Sequence, residues 1–254
     1  MAGHSKFKNI MHRKGAQDKK RAKLFSRLIR EISVASKIGG DDPDSNPRLR
    51  AAINNALSSN MSKENIQRAI KKNSNNSEKE QILEIIYEGF GPCGVAIMVE
   101  SMTDNKNRSA SEIRATFSKY NGNLGISGCV KHNFDKVGII SFSRDVDEFD
   151  NFFEFCASLD VKDVLENDET FDVIADPELF NEITLNLEKK YSLPKFTSLE
   201  WRPLNTIDIS DLDDAKKLII LLDKLEDLDD VQTVTSNFNI DEDLMEKLIW
   251  GRKN

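Results

Sequence analysis

Phosphate recognition is the first chemistry that the sequence offers. Lys6, Lys8, Arg13, Lys14, Lys19, Lys20, Arg21 and Lys23 crowd the first two dozen residues, and Lys20, Lys23, Arg27 and Arg30 recur at three- and four-residue spacing. Cations so spaced line one face of a helix. Neutralising phosphates with them releases condensed counterions whatever the base sequence. His4, Ser5 and Asn9 add groups that can bond phosphate or base edges, and Gly3 and Gly15 keep the leading arm pliable. Residues 1–72 hold 17 Lys/Arg against 6 Asp/Glu, a net of +11, whereas the rest of the chain holds 19 against 37, a net of −18. The overall charge of −7 therefore joins a basic head to an acidic body, and the head is expected to meet nucleic acid.

Other chemistries fare less well. Gly89-Phe90-Gly91-Pro92-Cys93-Gly94 matches the dinucleotide fingerprint, but that loop must open a helix, and Val95–Val99 reads as a strand. Turn chemistry accounts for it better. Cys129 and His132 form a single C-x-x-H pair, short of the three or four ligands that zinc requires. The acidic run Asp211–Asp214 sits where a helix should start and is expected to complement its dipole. The run Glu226–Asp230 lies at a helix end with no such role, so it is expected to form an acidic surface that repels misplaced nucleic acid or meets a basic partner. A metal-dependent enzyme built on these acids is the unlike alternative, although neither run has a calcium-loop pattern. No nucleophile, base and orienting acid can be grouped, so the expectation is a non-enzyme without cofactors.

These side chains need elements to hold them. With 39% hydrophobic and 31% charged residues, the 254-residue chain can bury a core. No window approaches a membrane span. Three scattered cysteines fit a reducing cytoplasm better than a disulfide framework. Met1–Arg30 has ten bases and one acid, which raises a mitochondrial presequence as an alternative, but its bases are mainly lysine.

From Lys19 to Ile38 the helical period puts Leu24, Phe25, Leu28, Ile29, Ile32 and Ala35 on one packing arc, with Arg21 intruding, so that the helix is expected to fray there or to start later. Asn46-Pro47 caps and opens a second helix with Leu49, Ile53, Ala56 and Leu57 inward. Ser62 caps a third, with Met61 just before it. Residues 73–79 read as a linker. Strands are predicted at Gln81–Phe90, Val95–Ser101, Cys129–Phe134, Val137–Phe142, Val161–Leu165, Thr170–Ala175 and Phe196–Trp201.

Helices are predicted at Asn107–Lys119 (Ala110, Ile113, Ala115 and Phe117 inward), through Phe149, Phe152, Phe153 and Cys156, and after the Asp176-Pro177 cap. A last helix (Ala215, Leu218, Leu222, Leu225) and the strand Val231–Ser236 cannot bury their own faces and must return to the first sheet. The expected fold is α+β and multidomain. A helical basic domain (1–76) precedes a discontinuous middle domain (77–134 plus 207–254), which hosts an inserted domain (135–206), both α+β domains being ferredoxin-like.

The opening Met1–Ile10 with His12-Arg13-Lys14 and Gln17-Asp18 resembles the YebC/PmpR family, which includes the mitochondrial translational activator of cytochrome c oxidase. The likeness continues in Asn46–Arg50, Tyr87-Glu88-Gly89, Thr103–Arg108, Gly122–Gly125 and Leu225–Val231. Phe7, Met11 and Cys93 depart from it, standing where the family usually has Trp, a base and Gly. The resemblance implies three domains and a cytoplasmic, non-enzymatic DNA-binding transcriptional regulator. Alternatively, it implies a translation factor that binds ribosomal RNA and relieves stalling, for example at proline runs. A start at Met1 within the family motif also argues against a presequence. Tyr87, Thr103, Asp104, Asn105, Lys106, Asn107, Arg108 and Asn123 form the candidate second functional surface.

Overall fold

A computed structural model describes residues 17–74 and 82–251. Its helical part comprises α1 (Gln17–Gly39), α2 (Pro47–Ser58) and α3 (Lys63–Ser74). Phe25, Leu28, Ile32 and Ala35 of α1 pack with Leu49, Ala52, Ala56, Met61, Ile66 and Ala69. This seam is narrower than the predicted arc. Leu24 and Ile29 flank it and stay 44% and 37% exposed, as does Leu57 of α2 at 38%. A helix meeting neighbours along one seam buries positions three and four apart and leaves the flanks in water. Because α1 begins at Gln17, Arg21 lies within it and not at a frayed start.

Asn46 makes the corner between α1 and α2. Its Oδ1 accepts from Leu49 N at 3.1 Å, while its Nδ2 donates to Ala35 O and Gly40 O, both at 2.8 Å. The predicted cap thus also satisfies carbonyls at the end of the preceding helix. Arg48 adds a two-pronged pair to Glu31, at 2.7 and 3.1 Å, from α2 to α1.

The remaining elements, in chain order, are β1 (Leu83–Phe90), β2 (Ala96–Thr103), α4 (Lys106–Lys119), β3 (Asn123–Leu124), β4 (Phe134–Ser143), α5 (Phe149–Ala157), β5 (Asp163–Glu166), β6 (Thr170–Ala175), α6 (Phe180–Tyr191), β7 (Phe196–Pro203), β8 (Ile207–Asp208), α7 (Leu212–Glu226), β9 (Val231–Ser236), β10 (Phe238–Asn239) and α8 (Glu242–Gly251). One four-stranded sheet has the order β3-β1-β2-β9 and the other β5-β6-β4-β7. The first is completed by a strand that follows the whole of the second, so one α+β set is inserted in the other. The second has the split-βαβ order. The first opens on the antiparallel hairpin β1–β2, in which Phe90 pairs with Ala96. Gly89–Gly94 therefore joins strand to strand.

Each sheet has its own core. Val95, Ile97 and Val99 pack under Ile113 and Phe117 of α4 and Leu218, Ile219, Leu222 and Leu225 of α7. Ile140, Phe142, Phe171 and Val173 pack under Phe152 and Cys156 of α5 and Ile183 and Leu187 of α6. Of the described residues, 21–74 and 136–201 form one compact unit, and 82–135 with the C-terminal elements belong to the other.

Four local expectations are corrected. Residues 129–130 form a turn and Lys131–Asn133 a short 3-10 helix, and the strand starts at Phe134, because the amides before it are drawn to a carboxylate described below. Ser109, not Ala110, joins Ile113 and Phe117 in the buried face of α4, and Ala115 is exposed. On α5 Phe153 is 48% exposed beside the buried Phe152. Asp176 closes a turn, accepting from Leu179 N at 3.1 Å, so the following helix starts only at Phe180.

Candidate functional site

Of the predicted nucleic-acid residues, His4, Ser5, Lys6, Lys8, Asn9, Arg13 and Lys14 lie outside the described residues. Lys19, Lys20 and Arg21 fall in the first turns of α1. Lys23, Arg27 and Arg30 are half-buried on the same helix. At 100° per residue these three cluster opposite the seam of Phe25, Leu28, Ile32 and Ala35, so packing the seam turns the cations outward. The Arg48–Glu31 pair fixes α1 against α2.

The candidate second surface resolves into a buried network and an outer face. Asp230 Oδ2 accepts from Thr103 Oγ1 at 2.9 Å, Ser109 Oγ at 2.5 Å and Arg108 Nη2 at 2.9 Å. Its backbone oxygen accepts from Met102 N at 2.9 Å. Four bonds on one residue thereby join the end of β2, the first turn of α4 and the start of β9. Burial pushes the Asp230 carboxyl up, but the Ser109, Arg108 and Thr103 donors outweigh it and hold the group below its ordinary value. Asp230, and then Asp104, raise the pKa of Arg108 in turn. Asn105 Oδ1 caps α4 through Arg108 N at 3.1 Å, and Tyr87 Oη donates to Lys106 O at 3.3 Å.

Tyr87, Thr103, Asp104, Asn105 and Arg108 are therefore brought together, largely in bonds to one another, leaving Lys106 and Asn107 exposed at the rim. Asn123 is not with them. It pairs with Phe90 beyond the far end of α4, a helix of 14 residues and so about 20 Å long. Asp230 was expected in an acidic surface; it is 5% exposed and structural. Of the rest of that run, Asp227 pairs with Lys224 at 3.1 Å. Asp211 caps α7 by accepting from Asp213 N and Asp214 N, both at 2.9 Å.

A second buried acid escaped the sequence reading. Glu88, 4% exposed, accepts from the amides of Gly128 (2.7 Å), Val130 (2.8 Å) and Lys131 (2.9 Å). Burial raises its pKa, but these three amides and the Lys131 charge together bring it below the ordinary value. The loop beyond β3 is thus held by one carboxylate. It presents Ile126 at 81% exposure, with Lys131 and His132 also exposed. An acid between Ile86 and Phe90, on one side of the alternating strand, was the available signal.

Family comparison matches residues 5–76 to the TACO1/YebC protein N-terminal domain and residues 82–238 to the TACO1/YebC second and third domain. A probable transcriptional regulatory protein of Geobacter sulfurreducens is 47% identical over 249 residues, covering 98% of this chain and 100% of the relative. One from Rickettsia canadensis is 46% identical, over 96% of this chain and 97% of its own length. The crystal structure of a conserved hypothetical protein from Aquifex aeolicus superposes with a TM-score of 0.81 at 45% identity, covering 89% of this chain and 93% of that one.

Proposed function

Because this chain belongs to the TACO1/YebC family, we propose that it is a non-enzymatic regulator of gene expression that binds nucleic acid through its basic N-terminal part. The reading is carried by one observation, the cation strip of α1 turned away from the packed seam and continuous in sequence with a lysine-rich arm. His4, Ser5, Lys6, Lys8, Asn9, Arg13 and Lys14 supply the arm's contacts, and Lys19, Lys20, Arg21, Lys23, Arg27 and Arg30 supply the helix's. The domains are assigned to 1–76, 77–134 with 207–254, and 135–206, the first carrying the interface. The acidic charge of the other two discourages misplaced phosphate contacts. The place of action is the cytoplasm; among the described residues no helix is long and apolar enough to cross a membrane.

The relatives' names favour a DNA-binding transcriptional regulator. A ribosome-associated factor is the second reading, favoured because an arm continuous with a cationic strip suits the shape and phosphate contacts by which folded RNA is held. Reversing Lys20, Lys23, Arg27 and Arg30 to Glu is expected to abolish binding. Single reversals should each reduce the salt slope by about one. Unchanged binding and slope would sink the proposal. Crosslinking in cells followed by sequencing of the bound nucleic acid separates the readings: discrete promoter fragments favour transcription, and ribosomal RNA favours translation.

A further inference from the structure

The helical part and the second sheet share a compact unit but not a core. No buried apolar residue of the α1–α3 cluster belongs to the β4–β7 cluster. Where they meet, the bonds are polar. Asn55 Nδ2 donates to Thr197 O at 2.6 Å, and Thr197 N donates to Asn55 Oδ1 at 3.0 Å. β7 is an edge strand, so the carboxamide takes the place of a neighbouring strand for one residue, supplying one donor and one acceptor as a peptide group does. Arg50, on the same helix, faces Glu188 of α6 closely enough to oppose the rise that burial imposes on that carboxyl. Between them lies a cleft of about 20 Å3, lined by polar side chains such as Arg50, Asn54 and Glu188 and by the apolar Pro47, Phe180 and Leu185, with room for one water molecule. Thr197 is 3% exposed and its Oγ1 has no hydrogen-bond partner among the described residues.

We propose that Asn55 and Thr197 form a reversible latch, by which the helical part, and with it the cation-bearing α1, docks on and releases from the edge of the second sheet. A junction held by polar bonds between separate cores favours opening as a rigid-body step, because neither core has to come apart. Fused cores would have to unfold to part. Arg48–Glu31 ties α2 to α1, so release of Asn55 carries α1 with it. The latch stands on this geometry alone, whatever nucleic acid α1 meets.

The test is amide hydrogen exchange on the full chain, comparing the unaltered protein with Asn55→Asp and Asn55→Ala. Aspartate keeps the shape of the side chain but sets an oxygen against Thr197 O; alanine removes both bonds. In each variant the Thr197 amide is expected to exchange roughly 10-fold faster or more, with the amides of β6 and α5 unchanged and the radius of gyration from small-angle scattering increased. Unchanged exchange at Thr197 would overturn the latch. So would an equal acceleration through β4, β6 and α5, which would mark the contact as part of the folded core of that sheet.

Discussion

At the scale of single residues, two buried carboxylates each gather a set of donors from separate parts of the chain. Glu88 gathers three loop amides and Asp230 gathers three side-chain donors. Glu88→Gln keeps the size but sets an NH2 among N–H donors, so we expect a loss of about 1–3 kcal/mol by denaturant titration, with faster exchange at Gly128, Val130 and Lys131. Asp230→Ala should lose about 2–4 kcal/mol, and most of the loss should survive high salt because the group is buried.

Both groups have pKa values lowered by folding. Their stabilisation is full above the unfolded carboxylate range of about 4 and disappears as pH falls through the lower folded values. The unaltered protein should therefore show a steeper acid loss below about pH 4 than the double variant Glu88→Gln/Asp230→Asn; parallel curves would contradict this. Cys93 adds a residue-scale effect of opposite sign. It holds φ of 59° in the turn between β1 and β2, a conformation that costs a side-chain-bearing residue about 1 kcal/mol. Cys93→Gly, which restores the residue usual in the family, should raise the midpoint of thermal unfolding.

At the scale of elements, α1 separates what a sequence period reveals from what a neighbour decides. Ile32 is fully buried, whereas Leu24 and Ile29, drawn on the same predicted arc, are not. Ile32→Ala should lose about 2–5 kcal/mol, while Leu24→Ala and Ile29→Ala should each change stability by no more than about 0.5 kcal/mol. Urea unfolding of the three variants checks the order. The failed strand at Cys129–Phe134 teaches the same lesson. Its residues suit a strand locally, but Glu88, some forty positions earlier, takes the amides that a ladder would use.

At the scale of the whole molecule, the two sheets are chained together without being equivalent. The first sheet borrows α7 and β9 from beyond the second, and Leu218, Leu222, Leu225, Val231 and Val234 form much of its core. A chain ending after Asp208 lacks all of them. We expect it to lose exchange protection throughout β1 and β2 while keeping it in β4 and β6, whose partners all lie before residue 204. Protection kept in both sheets would show that the first core stands without its returning elements.

The sequence by itself determined the α+β class, the caps at Asn46 and Ser62, the acidic helix start at Asp211–Asp214, the β1–β2 hairpin, the return of the last helix and strand to the first sheet, and the separation of a basic head from an acidic body. Periodicity, cap chemistry and charge are local, and a linear reading captures them. Only the tertiary structure decided that Thr103, Ser109 and Arg108 converge on Asp230, that Asn123 stands at the other end of α4 from them, that Glu88 holds the loop after β3, and that Asn55 clasps Thr197. Each of these joins residues that chain folding brings together from distant positions, or parts residues that only a helix axis separates. Neither composition nor period carries that geometry.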